Sequence, residues 1–95
     1  MQSEYEILGK VLASNHRLKT INVLSEGVMT PARIAKRLNI EISHASKIVR
    51  ELKSLGLVEC KTPELRKGKL YGLTDNGKRI LQNLNAMVSS PEGKE

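Results

Sequence analysis

The sequence predicts a mainly α-helical domain with one small β-hairpin (an α+β chain), and three observations carry that reading. Apolar residues recur at helical spacing in five separate segments. The pattern breaks once, between Gly56 and Thr74, where two short β-prone runs flank a polar stretch tipped by glycine. Residues that favour helix starts and stops punctuate the segments at the places this order requires.

The first helix is expected over Glu4–Ser14, with Ile7, Leu8, Val11 and Leu12 as one apolar stripe. Asn15 is expected to cap a second helix reaching Ser25, which buries Leu18, Ile21 and Leu24 with Val23 beside them. Gly27 is expected to stop it in the left-handed conformation. Val28-Met29 reads as a short extended stretch. Thr30-Pro31 is a strong helix start, because the hydroxyl accepts a free backbone N–H and proline suits the first turn. That third helix runs to Leu38 and buries Ile34, Ala35 and Leu38. After a tight turn at Asn39-Ile40, a fourth helix runs from about Glu41 to Gly56 and buries Ala45, Val49 and Leu52, with Ile48 widening the face. Leu57–Thr62 and Leu70–Leu73 read as strands around a basic tip at Gly68. Thr74 is expected to cap a last helix carrying Ile80, Leu81, Leu84 and Val88. Residues 1–88 thus form one domain, and 89–95, rich in Ser, Pro, Gly and charge, are expected to be a disordered tail.

Two short helices joined by a tight turn and followed by a hairpin form a winged helix-turn-helix. At this point the chain resembles the winged-helix regulators of the ArsR and MarR superfamily. The resemblance runs from about Ile7 to Val88. It rests on Arg17-Leu18 with Ile21, Val23 and Leu24, on Ile34-Ala35 with Leu38, and on Ser43, Ser46-Lys47, Val49, Leu52 and Leu55-Gly56-Leu57-Val58. Tyr71-Gly72-Leu73-Thr74 with Gly77 and Leu81 completes it. It implies a DNA-binding transcriptional regulator that works as a dimer. Two departures matter. Glu41 stands where the family places a serine-like cap, so the fourth helix is expected to start late or fray. The paired cysteines or clustered histidines of metal-sensing members are missing at the corresponding places, so metal sensing is not carried over.

Charge points the same way. The net charge is +6, and Arg33–Arg79 holds 12 basic and 5 acidic residues, while the remainder holds 4 basic and 5 acidic. A localised basic excess attracts a polyanion, although a solvated lysine-rich surface would look alike. With no Trp or Phe, and only Tyr5 and Tyr71 as aromatic residues, the chain lacks the rings on which single-stranded bases stack. The expected partner is therefore double-stranded DNA. Cys60 alone cannot form an internal disulfide and reads as a half-buried structural residue, and a metal site of His16, His44 and Cys60 would need a coincidence of folding. No metal and no cofactor are expected. No phosphate-cradling loop, carboxylate pair or nucleophilic triad is visible, which argues against an enzyme. The absence of a secretory signal or an apolar run of membrane-spanning length places the expected location in the cytoplasm, at the nucleoid.

A recognition helix presents its polar N-terminal face to the major groove. Here Ser43, His44, Ser46, Lys47 and Arg50 are the candidates, Lys47 and Arg50 for guanine edges or nearby phosphates. Ile42 is open between a thymine methyl contact and the core. In the wing, Arg66, Lys67 and Lys69 are expected to reach a minor groove or its phosphates. Thr30, Arg33, Lys36 and Arg37 are candidate phosphate contacts, or solubilising groups. The apolar stripes of the terminal helices (Ile7, Leu8, Val11, Leu12, Ile80, Leu81, Leu84 and Val88) are expected to form a homodimer interface, the alternative being that they fold back on the monomer. The leading expectation is a sequence-specific regulator, most simply a repressor. A winged-helix module for protein interaction and a non-specific architectural DNA-binding protein are the alternatives.

Overall fold

The structure, a computed structural model, describes residues 3–88, with side chains as far as residue 86. The expected tail, 89–95, and the side chain of Val88 lie outside the described residues. The order is α1 (Glu4–Leu12), α2 (Asn15–Leu24), α3 (Pro31–Leu38), α4 (Ile42–Ser54), β1 (Val58–Cys60), β2 (Tyr71–Leu73) and α5 (Asp75–Val88). This is the winged helix-turn-helix that the sequence predicts.

Local chemistry sets most of the boundaries. Ser3 and Glu6 close a reciprocal capping box on α1. The cap of α2 is Ser14 and not Asn15: the Ser14 hydroxyl accepts from the Arg17 N–H, and Asn15 is already helical. Both residue types cap well, so composition alone does not choose between them. Thr30 caps α3 as expected, accepting from the Arg33 N–H. Two helices end in the same way. Asn39 (φ 59°) follows α3 and Gly56 (φ 79°) follows α4, both left-handed. The N–H of the next residue then donates five residues back, Ile40 to Ala35 and Leu57 to Leu52. Gly27 departs from expectation. Its φ of 148° lies outside the left-handed helical region, because Ser25, Glu26 and Gly27 already bond back into the last turn of α2 and the chain must then extend toward Met29.

The sheet is shorter than the sequence implied. Only Val58–Leu73, Glu59–Gly72 and Cys60–Tyr71 pair. Met29 adds a bridge on the far side of β2, exchanging two backbone hydrogen bonds with Tyr71. That bridge ties the approach to α3 to the base of the wing.

One core joins all these elements. Ile21 and Leu24 of α2, Ile34 and Ala35 of α3, and Ala45, Ile48, Val49 and Leu52 of α4 meet Leu57, Val58 and Leu73 of the hairpin. Val11 of α1 and Ile80 and Leu84 of α5 are also fully committed to it. These three, expected at a dimer interface, instead close the chain's own core.

The junction of α4, β1 and α5 is the tightest point. The Thr74 N–H donates to the Leu57 carbonyl, the Thr74 hydroxyl donates to Gly56 O and accepts from the Gly77 N–H. A Cβ at Gly77 would fall on the Leu57 carbonyl oxygen, well inside van der Waals contact. Gly77→Ala must therefore push α5 off the hairpin. It should cost about 1–3 kcal/mol of stability, the usual range for overpacking. Urea unfolding measures this directly, and an unchanged midpoint would contradict the packing described.

Candidate nucleic-acid interface

The candidate surface is built on α4. Ala45, Ile48, Val49 and Leu52 point into the core. At 3.6 residues per turn, Ser43, Lys47 and Arg50 fall on the opposite side of the helix. All three are exposed, and Ser46 on the flank is half-buried. Lys47 and Arg50 enter no salt bridge among the described residues. Their charge is therefore available to an external anion.

The other flank of α4 is fixed to α2. The His44 ring meets His16 edge-on, with centroids 4.7 Å apart and planes at 83°. Seven residues on, Glu51 accepts from Arg17 Nε at 3.2 Å, while Arg17 Nη1 donates to the Lys10 carbonyl at 2.7 Å. Arg17 thus holds α1, α2 and α4 in one arrangement. His44 remains exposed beside this contact. The fold brings the two histidines together without Cys60: among the described residues, no group of three or more His, Cys, Asp or Glu side chains is placed to hold a metal. Cys60 is half-buried in β1, opposite Tyr71.

The first turn of α4 is open. Glu41 occupies its N-cap position and makes no side-chain cap bond, so the helix starts at Ile42, one residue after the earliest expected place. Glutamate is too long to fold back as serine does. Ile42 is 57% exposed.

The supporting helix divides its candidates. Arg33 and Lys36 are exposed and enter no salt bridge among the described residues. Thr30 uses its hydroxyl oxygen as the α3 cap and keeps its proton to donate. Arg37 is engaged: both terminal nitrogens donate to the Glu26 carboxylate at 2.8 Å. This hydrogen-bonded guanidinium holds the Glu26 carboxyl below the ordinary carboxylate range. The pair is solvent-exposed, so a phosphate can compete for Arg37.

The wing is a ten-residue loop, 61–70, on a three-residue ladder. Its base is held by Lys61 N–H to Leu70 O at 2.7 Å and by Leu70 N–H to the Thr62 hydroxyl at 2.9 Å. Lys61 itself is spent on Glu59. Arg66 and Lys67 are exposed and Lys69 half-buried around Gly68, whose φ of 65° makes the turn.

Of the expected interface set on the terminal helices, Ile7, Leu8 and Leu81 are half-buried and Leu12 is 45% exposed. Tyr5, absent from that set, is 87% exposed on the same helix. It stands three and seven residues before Leu8 and Leu12 and so shares their side of α1, and that spacing is the signal that could have found it. Asn83 Nδ2 donates to Glu4 Oε2 at 2.6 Å and ties α5 to α1 beside a cleft lined by Tyr5, Leu8 and Ala86.

Comparison with known proteins agrees with this architecture. Residues 17–77 match the family described as winged helix DNA-binding domain. The chain is similar to the homodimeric winged helix-turn-helix DNA-binding domain of a possible ArsR-family transcriptional regulator from Mycobacterium bovis, with 26% identity, a TM-score of 0.73, and coverage of 93% of this chain and 80% of that one. The reduced form of the transcriptional regulator YodB from B. subtilis has a TM-score of 0.78 at 19% identity, over 99% of this chain and 94% of that chain. Wild-type MarR from E. coli has a TM-score of 0.74 at 20% identity, over 92% of this chain and 69% of that chain. No curated protein matches in sequence.

The Arg37–Glu26 pair makes a measurable statement about charge. Glu26→Gln removes the competing carboxylate and releases Arg37. Binding of random duplex DNA should tighten, and the slope of log affinity against log salt should steepen by up to about one. An unchanged slope would mean that Arg37 does not face DNA.

Proposed function

We propose, from the premise that the chain belongs to the winged helix DNA-binding domain family, that it is a sequence-specific transcriptional regulator acting as a homodimer on double-stranded DNA. The family is one of DNA-binding regulators and not of enzymes, and the chain's structural neighbours include ArsR- and MarR-family regulators. The observation that carries the finer reading is the uncovered stripe of Ser43, Lys47 and Arg50, directly opposite the buried stripe of α4. In this reading α4 enters the major groove. Ser43, His44, Ser46, Lys47 and Arg50 reach base edges and the nearest phosphates. The wing lays Arg66, Lys67 and Lys69 on the adjacent minor groove or its phosphates. Thr30, Arg33 and Lys36 meet the backbone across α3, with Arg37 after exchange from Glu26.

The homodimer rests on two supports. The similar domain from Mycobacterium bovis is homodimeric, and apolar surface remains on α1 and α5 after the core is closed. On α1 it is Tyr5, Leu8 and Leu12, next to Ala86 of α5, and Leu81 is a separate half-buried position beside Val28. Paired recognition helices would meet successive major grooves about 34 Å apart. The simplest regulatory outcome is repression, by occupying a promoter. No described helix is long and apolar enough to cross a membrane, and a regulator of this kind works in the cytoplasm, at the nucleoid.

Selection of bound duplexes from a random pool tests the reading. It should return an inverted repeat with half-sites one helical turn apart. On that site, Lys47→Ala with Arg50→Ala should weaken binding at least about tenfold and flatten the salt dependence by up to about two. Both residues are exposed, so the thermal unfolding profile should not move. Wild-type affinity that stays constant across moderate salt would contradict phosphate contact.

A further inference from the structure

The first turn of α4 leaves one apolar side chain outside the core, on the flank of the helix between Val49 of the buried stripe and Ser46. Ile42, the first residue of the helix, is 57% exposed, whereas Ile48, Val49 and Leu52 of the same helix are buried. The sequence left Ile42 between core and surface, and the fold puts it on the surface. Its neighbour Glu41 is exposed, makes no cap hydrogen bond and enters no salt bridge among the described residues. A free carboxylate beside Ile42 repels phosphate, and a branched alkyl group gains nothing from one. The side chains of Glu41 and Ile42 therefore offer nothing to a phosphate, and the cations that do, Lys47 and Arg50, lie one and two turns further on.

Residues in the first turns of a recognition helix are those that reach base edges. The apolar group that a base pair shows in the major groove is the thymine C5-methyl. We infer that Ile42 reads a thymine by covering its C5-methyl group and is a specificity-determining residue of this chain. The inference rests on the reading of α4 as the helix that enters the major groove. It adds a base preference that hydrogen bonding from Ser43, Ser46 or Lys47 does not supply, because those groups can serve more than one base. Burial of one methyl group against the Ile42 side chain is worth roughly a fourfold change in affinity.

The test replaces each thymine of the selected duplex in turn by deoxyuridine, which removes the methyl group and keeps every hydrogen-bonding group. The wild-type chain should lose roughly fourfold in affinity at one thymine of each half-site. Ile42→Ala should bind the thymine and deoxyuridine forms of that site equally, with an unchanged salt slope and unchanged thermal unfolding. A wild-type chain indifferent to every replacement overturns the inference, and that arm does not depend on any variant folding. So does a loss that persists undiminished in Ile42→Ala. A selection that returns no preferred sequence overturns the sequence-specific reading itself, and the inference falls with it.

Discussion

The buried stripe of α4 is the constraint on which the rest of the molecule depends. Ala45, Ile48, Val49 and Leu52 are all withdrawn from water, and each of the three larger ones contributes about 1.5–3 kcal/mol through that burial. A helix has only one rotation about its axis that buries those four residues together. Ser43, Lys47 and Arg50 are then projected outward with no further design. The position of the cations is thus a consequence of packing. The core under them is supplied by every other element, from Val11 at one end of the chain to Leu84 at the other. The terminal helices serve the same end, by closing the core that sets the rotation of α4.

Cross-links then fix the remaining freedom. Rotation about the helix axis is set by the core, while tilt against α2 is held by the His16–His44 contact and the Arg17–Glu51 pair. Met29 bridges to Tyr71 and ties the wing to the segment that precedes α3. The Asn39 turn sets the angle between α3 and α4. The candidate surface is consequently assembled on helices packed into one core, with the wing loop as its most extended part. Rigid placement lowers the entropy lost when side chains meet a groove.

Much of this was legible in the sequence, and the reason is that the relevant signals are local. Thr30-Pro31, the apolar spacing of α4 and the β-prone runs around Gly68 each act within a few residues. The unread parts are those that join distant positions. Arg17 and Glu51 are 34 residues apart, and His16 and His44 are 28 apart. Nothing in either neighbourhood announces the other. The same limit affected charge. A count of cations between Arg33 and Arg79 treats Arg37 and Lys61 as equivalent to Lys47, whereas Glu26 and Glu59 engage the first two. The apolar stripes of α1 and α5 were visible, but periodicity does not say which partner a stripe covers. Val11, Ile80 and Leu84 turn inward and join the core of the central elements.

In the proposed function, packing aims one face of α4, with the wing beside it, at duplex DNA. Backbone amide shifts of the isotopically labelled chain, followed by NMR as duplex is added, test it most directly. The largest changes should fall in Ile42–Arg50 and Leu65–Lys69, with the outer face of α1 around Tyr5 and Leu12 left unmoved. Changes centred on α1 and α5, with the amides of α4 and the wing unaffected, would contradict it.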